Sequence, residues 1–484
     1  MNVKKIAVVG GGTAGLITAL ILKRKFNYAV DVVLSSKIGI IGVGEGSTEH
    51  FKEFMSYIGI DEKTILKECG ATYKLGILFE NWGDGDYVHT VQEPFNAKNG
   101  QYSYMYAKKI SDGERILYPK NLLTNHLNKS LLTKYTAVAN QYHFDTHKLN
   151  NFLIKKCKEF NINIFDDEII DVSLNLDGEI EKITGEKQTY FYDFYVDSTG
   201  FKRVLHSKLG SSWESLSPFL SMNSALVFPS KDEDNYSVWT LAKAMDYGWR
   251  FKIPVQGRHG NGYIFDNNYI SSTQAKEELD RCLGYDVQIA REFNFEAGYV
   301  KNPWVKNCVA VGLSASFVEP LEATSIGTSI QQAFMLIHKL ANYTDKEISS
   351  YNKNFVSIMN NIRDFICLHY VNNEKKNEMW CNVSQREIPD SLKDKLEIWE
   401  NRLPIQEDFN SDSNYILFNA QNFLVVLYGM GLMNVDNIRK EYQSTSNFIR
   451  LSADTIANLQ KKYESSIELI THKEIVQAVV KYLN

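Results

Sequence analysis

Gly10, Gly12 and Gly15 stand at G-x-G-x-x-G spacing, directly behind the apolar run Ile6-Ala-Val-Val9 and directly ahead of a helix-compatible stretch. A short β-branched run of this kind is the mark of a buried parallel strand. In a strand–turn–helix unit the first glycine lets the chain turn, the second lets backbone approach a pyrophosphate, and the third lets helix pack on strand. Phosphates placed there meet the free N–H groups and the dipole of the helix N-terminus. The expectation is an α/β fold built on a parallel sheet, with a dinucleotide at the end of the first strand. A glycine-rich turn in another α/β protein is the plainer reading. A signal peptide behind Lys4-Lys5 is a second one, opposed by three consecutive glycines and the lack of a small-residue cleavage site.

Tyr28 to Leu34 reads as the second strand. A dinucleotide site usually has an acidic residue at its end to bind ribose hydroxyls. This chain offers Ser35-Ser36, which can hydrogen-bond a ribose without the charge assistance of a carboxylate.

The 484 residues leave room for two or three domains or one large interleaved enzyme. A net charge of −5 leaves no basic footprint for nucleic acid, and no apolar run reaches membrane-spanning length. The six cysteines are scattered without a C-x-x-C pair, which suits reduced thiols in a cytoplasmic protein and gives no metal-ligand spacing.

Ile41 to Ser47 is a glycine-rich loop suited to close backbone approach. Glu68 to Trp82 reads as a strand holding one lysine, Lys74, among apolar neighbours; such a lysine usually snorkels its ammonium to water. Residues 83 to 140 read as an irregular insertion. Tyr142 to Leu153 reads as a helix, with His143 and His147 at i,i+4 but no third metal ligand, so a solvated face is expected. Tyr195 to Gly200 reads as a strand and turn, with Asp197 ahead of a glycine, Gly200, at a phosphate-approach position. Gly248 to Pro254 alternates strictly, placing Trp249, Phe251 and Ile253 on one face and Arg250 and Lys252 on the other. Pro254 ends the ladder or marks an edge. Cys308 to Val311 is a strand leading into a loop with Glu319 and Glu322. The helix Ser325 to Ala341 follows, with Thr324 or Ser325 as N-cap. From about residue 355 the pattern is helical, ending in Ser452 to Leu483.

Taken in order, these stretches resemble the flavin-dependent halogenases of the tryptophan-halogenase type. The likeness rests on Gly-Gly-Gly-Thr-Ala-Gly at 10–15, Gly-Val-Gly-Glu at 42–45 and Ala-Thr-Tyr-Lys74. It continues through His-Phe-Asp at 143–145, Asp-Ser-Thr-Gly at 197–200, Gly-Trp-Arg-Phe-Lys-Ile-Pro at 248–254 and Gly-Leu-Ser-Ala-Ser-Phe-Val-Glu-Pro-Leu-Glu at 312–322.

The resemblance implies an FAD-binding, flavin-monooxygenase-like domain with a parallel sheet, plus a mostly helical substrate-covering region. On this reading residues 1–90, 140–210 and 290–360 form the discontinuous FAD domain, and 91–139, 211–289 and 361–484 the covering region. It implies FAD contacts at Gly10, Gly11, Gly12, Thr13, Ala14, Gly15, Ser35, Ser36, Gly46, Ile169, Leu313 and Ile326. A halide, chloride or bromide, would sit at Thr324 and Ser325. FADH2 from a separate flavin reductase, with dioxygen and halide, would yield hypohalous acid. That oxidant would pass through a tunnel to Lys74, which with Glu322 would present the halogen to an aromatic ring. Partners would be the reductase and a small aromatic substrate, with a homo-oligomer left open.

This chain departs from the family pattern at three places. The motif strand Trp249, Phe251, Ile253, Pro254 has phenylalanine where the family has a second tryptophan. Ala323 and Ser325 replace the family's serine and glycine around the threonine. Phe423 and Leu424 align with a tyrosine pair that helps hold the amino-acid end of tryptophan, which points to a substrate other than free tryptophan. At an ordinary lysine pKa only about one amine in 2,500 is neutral at pH 7, so Lys74 either loses its charge by burial or stays charged and hydrogen-bonds intact hypohalous acid. An aromatic monooxygenase and a non-catalytic flavin-binding protein are the competing readings, and neither needs Lys74, Glu322 or the Trp249 strand.

Overall fold

The first strand, Lys5–Val9, lies inside a six-stranded sheet. In spatial order its strands are Trp304–Val305, Cys308–Ala310, Phe194–Asp197, Lys5–Val9, Ala29–Leu34 and Asn163–Asp166. All neighbouring pairs are parallel except the first, a hairpin. The computed structural model describes residues 3–39, 45–83, 85–90, 101–113, 125–129, 141–371, 377–409, 415–465 and 468–482. Apart from the exposed Lys5, the central strand is apolar, because both faces are covered. On one side Ile6 and Val8 pack with Leu16, Ile17 and Leu20 of the helix Thr13–Lys25, and the helices Thr146–Glu159 and Thr324–Lys339 lie beside it. On the other side Ala7 and Val9 pack with Val172, Ile180 and Ile183 of a small antiparallel sheet.

A second sheet of seven strands occupies the middle of the chain. Its order is Arg291–Asn294, Ser224–Lys231, Arg258–Phe265, Gly248–Val255, Trp239–Ala244, Gly76–Gly83 and Gly85–Thr90. Only Trp239–Ala244 and Gly76–Gly83 run parallel. Residues 211–289 are thus mostly strand, and the chain is mostly helical from Asp345 onward. Boundaries at 90 and 290 cut this sheet, since strands on both sides of each belong to it. The Trp249 strand is buried on both faces, not one: Arg250 is buried as well, because the helix Ser272–Leu283 packs on the far side of the sheet. Pro254 lies beyond the last residue paired with Trp239–Ala244, where a missing N–H costs no ladder bond on that side.

Three local expectations change. The stretch Glu68 to Trp82 is a helix end followed by two strands. Thr72–Lys74 pairs with Gln141–Phe144, which also pairs with Glu45–Gly46, whereas Gly76–Gly83 joins the large sheet. Tyr142 to Phe144 is strand, and the helix begins at Thr146 behind Asp145, whose carboxylate caps Lys148 N. His143 is consequently buried on a strand while His147 is exposed on a helix, so they share no face. The C-terminal helix is interrupted: Asn447–Ser465 is followed by the strand Leu469–Thr471, which pairs with His126–Asn128, and then by the helix His472–Tyr482. Within the insertion, Gly85–Thr90, Gln101–Ser111 and His126–Asn128 are ordered elements. Residues 91–100, 114–124 and 130–140, and Gly42 to Gly44 of the second motif, lie outside the described residues.

Candidate active site

The G-x-G-x-x-G turn opens onto a cavity of about 390 Å³ at the C-terminal ends of the parallel strands. Gly10 has a φ of +113°, and a Cβ there would stand 2.2 Å from the carbonyl oxygen of Ser198. A Cβ on Gly15 would stand 2.2 Å from Ser198 Oγ, so this glycine serves helix–strand packing and does not line the cavity. Gly12 has open space where a side chain would be, and no side chain caps the helix that starts after it. The N–H groups of that turn are thus free to meet a pyrophosphate. Gly10, Gly11, Gly12, Thr13, Ala14, Ser35, Ile169, Leu313 and Ile326 all border the cavity. Ser36 does not; it is exposed and bonds Asp166 through its backbone N–H and hydroxyl. Asp197 is fully buried and accepts from Thr199, Leu205, His206 and Ser314, so it fixes the turn rather than facing a phosphate. A carboxylate absent from the end of the second strand is supplied from its neighbour: Glu168 borders the cavity, and Ser35 Oγ donates to it at 3.5 Å.

A second cavity, of about 200 Å³, continues from the first. Glu45, Arg291, Leu313, Ser325 and Ile326 border both. Burial raises the Glu45 carboxyl to about 7. Thr324 and Ser325 border the second cavity at the start of the helix Thr324–Lys339. Neither is its N-cap. That position is Ala323, whose backbone is left-handed at φ +54° and ψ 40°, and which offers no capping side chain. A non-glycine residue held there costs about 1–2 kcal/mol, and the first-turn N–H groups keep no side-chain acceptor. Trp249, Phe251 and Ile253 form part of the opposite wall; Pro254 does not.

Gly46 also borders the second cavity. A Cβ on Gly46 would lie 3.4 Å from Lys74 Nζ and 3.5 Å from the Cβ of Ala323. Lys74 is 1 % exposed and donates to the carbonyl oxygen of Ser47 at 2.9 Å. It does not snorkel. Burial lowers it to about 8, against the opposing pull of the Glu322 carboxylate.

Glu322 is buried between two imidazoles. His89 Nδ1 lies 2.8 Å from Oε2, and His369 Nε2 lies 3.0 Å from Oε1. The amide of Asn422 sets the tautomer of His89. Its Oδ1 already accepts from Asn419 N, so its Nδ2 donates to His89 Nε2 at 3.0 Å, leaving Nδ1 as the N–H that faces Glu322. Tyr87 Oη stands 2.7 Å from His369 Nδ1 on the far side. Burial alone would raise Glu322, but His89 and His369 outweigh it and hold the carboxylate ionised, at about 2.

Phe423 and Leu424 do not meet the expectation placed on them. Phe423 is fully buried among Phe365, Trp399 and Phe409. Leu424 packs with Met105 and Ile438. Neither borders a cavity described above, so a preference against free tryptophan has no basis in these two side chains. His89, His369 and Glu168 were not legible in local spacing. The two histidines reach Glu322 from 233 and 47 residues away, and only the pairing of Gly76–Gly83 with Gly85–Thr90 brings His89 into place.

A dinucleotide cradle, an adjoining apolar cavity and a buried amine behind Gly46 fit a flavin-dependent halogenase. The profile of the tryptophan halogenase family matches residues 5–442, and the chain belongs to that family. It is 30 % identical to the 7-chloro-L-tryptophan 6-halogenase KtzR of Kutzneria sp. (strain 744), over 83 % of this chain and 86 % of that one. It is 26 % identical to the tryptophan 7-halogenase RebH of Lentzea aerocolonigenes, over 89 % and 90 %. The crystal structure of a tryptophan halogenase from Shewanella frigidimarina superposes with a TM-score of 0.89 at 25 % identity, covering 99 % of this chain and 98 % of that one. The flavin and halide requirement follows from the family. Among the described residues no helix is long and apolar enough to cross a membrane, and no cluster of metal-ligating side chains occurs.

Proposed function

We propose that hypohalous acid made at the flavin cavity passes through the second cavity to Lys74, and that Lys74 delivers the halogen to an electron-rich aromatic substrate, an indole being the class closest to the relatives' substrates. The observation that carries this reading is the placement of Gly46: it borders the cavity that adjoins the flavin site, and Lys74 Nζ lies directly behind it. Gly10 to Ala14 would hold reduced FAD, which with dioxygen would supply the two-electron oxidant that converts halide to hypohalous acid. Thr324 and Ser325 hold the halide through first-turn N–H groups left without a side-chain cap.

Lys74 takes the halogen as a neutral amine: its lone pair forms the nitrogen–halogen bond as the oxygen–halogen bond of hypohalous acid breaks, and an amine proton leaves with the hydroxide as water. Burial to about 8 makes roughly one amine in ten neutral at pH 7. The Ser47 carbonyl oxygen orients the nitrogen. Glu322, ionised and held by His89 and His369, is placed to receive the proton lost by the ring. The reductant comes from a separate flavin reductase, and the location is cytoplasmic; scattered free cysteines support the latter. Incubation with a flavin reductase, NADH, FAD, bromide and a panel of indoles and phenols tests the reaction. The product should carry bromine in place of one hydrogen. An added oxygen atom without bromine would mark a monooxygenase instead.

A further inference from the structure

Hypohalous acid attacks cysteine, methionine, histidine, primary amines, tyrosine and indole far faster than aliphatic or phenyl groups. The wall of the second cavity has no cysteine, methionine, histidine, lysine or tyrosine among its described residues. Its rings are Phe251, Phe293, Phe317 and a single indole, Trp249. This is not what burial alone produces, because Cys157, Cys308, Met335, Tyr142 and Tyr195 fill other parts of the core. Phenylalanine at 251 also removes the second indole that the family motif would place on this strand.

Trp249 is thus the one readily halogenated side chain on the wall, and it is the one held by a buried carboxyl. Its Nε1 donates to Glu319 Oε2 at 2.8 Å, and Tyr370 Oη donates to the same oxygen at 2.6 Å. Glu319 is fully buried, and its other oxygen, Oε1, has no partner. Its neighbours Val318 and Pro320 form part of the cavity wall. With C3 carrying the side chain, the free indole position most open to electrophiles is C2, beside nitrogen. In Trp249 that edge is turned into the Glu319 carboxyl.

We infer that the second cavity is lined to carry hypohalous acid without consuming it, and that Glu319 is a positioning residue that locks the reactive edge of Trp249 away from the oxidant. This rests on the halogenase reading above. The reaction prevented is substitution: a ring carbon–bromine bond forms, the oxygen–bromine bond of hypobromous acid breaks, and the displaced ring proton leaves with hydroxide as water.

Peptide mapping by mass spectrometry tests this in two arms. In one, limiting hypobromous acid is added to the protein; in the other, bromide turnover with FAD and a reductase generates it internally. Trp213, which is half-buried, reports general access, and Trp304, fully buried, reports unfolding. In the wild type, Trp213 should gain bromine in the added-oxidant arm while Trp249 stays unmodified in both. Glu319→Leu should brominate Trp249 at least about tenfold faster with Trp304 unchanged, the factor expected when an open–closed equilibrium loses one hydrogen bond of ordinary net strength. Glu319→Gln keeps an acceptor oxygen and should restore protection. If Glu319→Leu fails to fold, Tyr370→Phe, which removes one of the two donors fixing the carboxyl, should show a smaller rise at Trp249 alone. Equal Trp249 modification in wild type and variants, or bromination of Trp249 in wild type during turnover, would overturn the inference. Absence of any brominated product in the turnover arm would count against the halogenase reading, and the added-oxidant arm would still decide the role of Glu319.

Discussion

Lys74 gives its hydrogen bond to the backbone carbonyl of Ser47, 2.9 Å away, and no ion pair joins it to Glu322 among the described residues. The carboxylate is taken by His89 and His369 and acts on Lys74 through space. The arrangement keeps a buried amine near neutrality while holding a carboxylate ionised beside it. Two titratable groups pushed in opposite senses are the usual mark of assigned acid–base roles.

A pH dependence follows directly. If the neutral amine accepts the halogen, turnover should rise with pH through an apparent pKa of about 8. Glu322 raises the pKa of Lys74, so Glu322→Gln should move that limb to lower pH. The same change should slow turnover roughly a hundredfold by removing the proton acceptor. Pre-steady-state halogen transfer measured from pH 6 to 9 checks both. A limb that falls through pH 8 would show that the charged ammonium is the working form.

His89 supports Glu322 from one side, and its own ring is set by Asn422. His89→Leu should therefore cost about 3 kcal/mol of stability, because it strands a buried carboxylate short of a partner. Denaturant midpoints compared at constant m-value read this. Asn422→Ala should cost less but let the imidazole turn over, lowering turnover more than stability.

Gly46 lies between the second cavity and Lys74. A methyl group there would make ordinary contact with Lys74 at 3.4 Å, so Gly46→Ala should keep much of the activity. The branched side chain of Gly46→Val should obstruct the passage and cut product at least about tenfold, the loss expected from misplacing reacting groups by an ångström. Flavin oxidation in the presence of dioxygen should continue at the wild-type rate in both.

Stability should also carry a signature of Glu319. Burial raises this carboxyl from an ordinary 4.5 to about 7. Between those values the folded chain holds a proton that the unfolded chain releases, so this group lowers stability as pH rises from 4.5 to 7, by at most about 1.4 kcal/mol per pH unit. Glu319→Gln removes the dependence. Its stability relative to wild type should grow across that window, as read by thermal melts in matched buffers.

The parts of the site carried by contiguous sequence were legible: the strand–glycine–helix unit, the Trp249 strand, the Glu319–Glu322 loop and Lys74 itself. The same local rules failed where a neighbour in space overrode them. Alternation around Trp249 assigned Arg250 to the opposite face without saying what covers that face, which the helix Ser272–Leu283 does. Tyr142 to Phe144 is too short a strand to show its period before the Asp145 cap begins a helix. Phe423 and Leu424 sit in a helix that is apolar on nearly every side, so sequence could not say which face meets a pocket. His89 and His369 have no shared spacing; the sheet and the long helix Asp345–Leu368 bring them to Glu322 from opposite ends of the chain segment.

The central claim is that Lys74 acts after the flavin chemistry, at the end of a passage. The direct measurement is brominated product per flavin oxidised in Lys74→Ala, with reduced FAD supplied in single turnover. The account predicts wild-type flavin binding and flavin oxidation, with free hypobromous acid detected by a chemical trap in place of brominated substrate. Regioselective bromination retained at the wild-type ratio would contradict it.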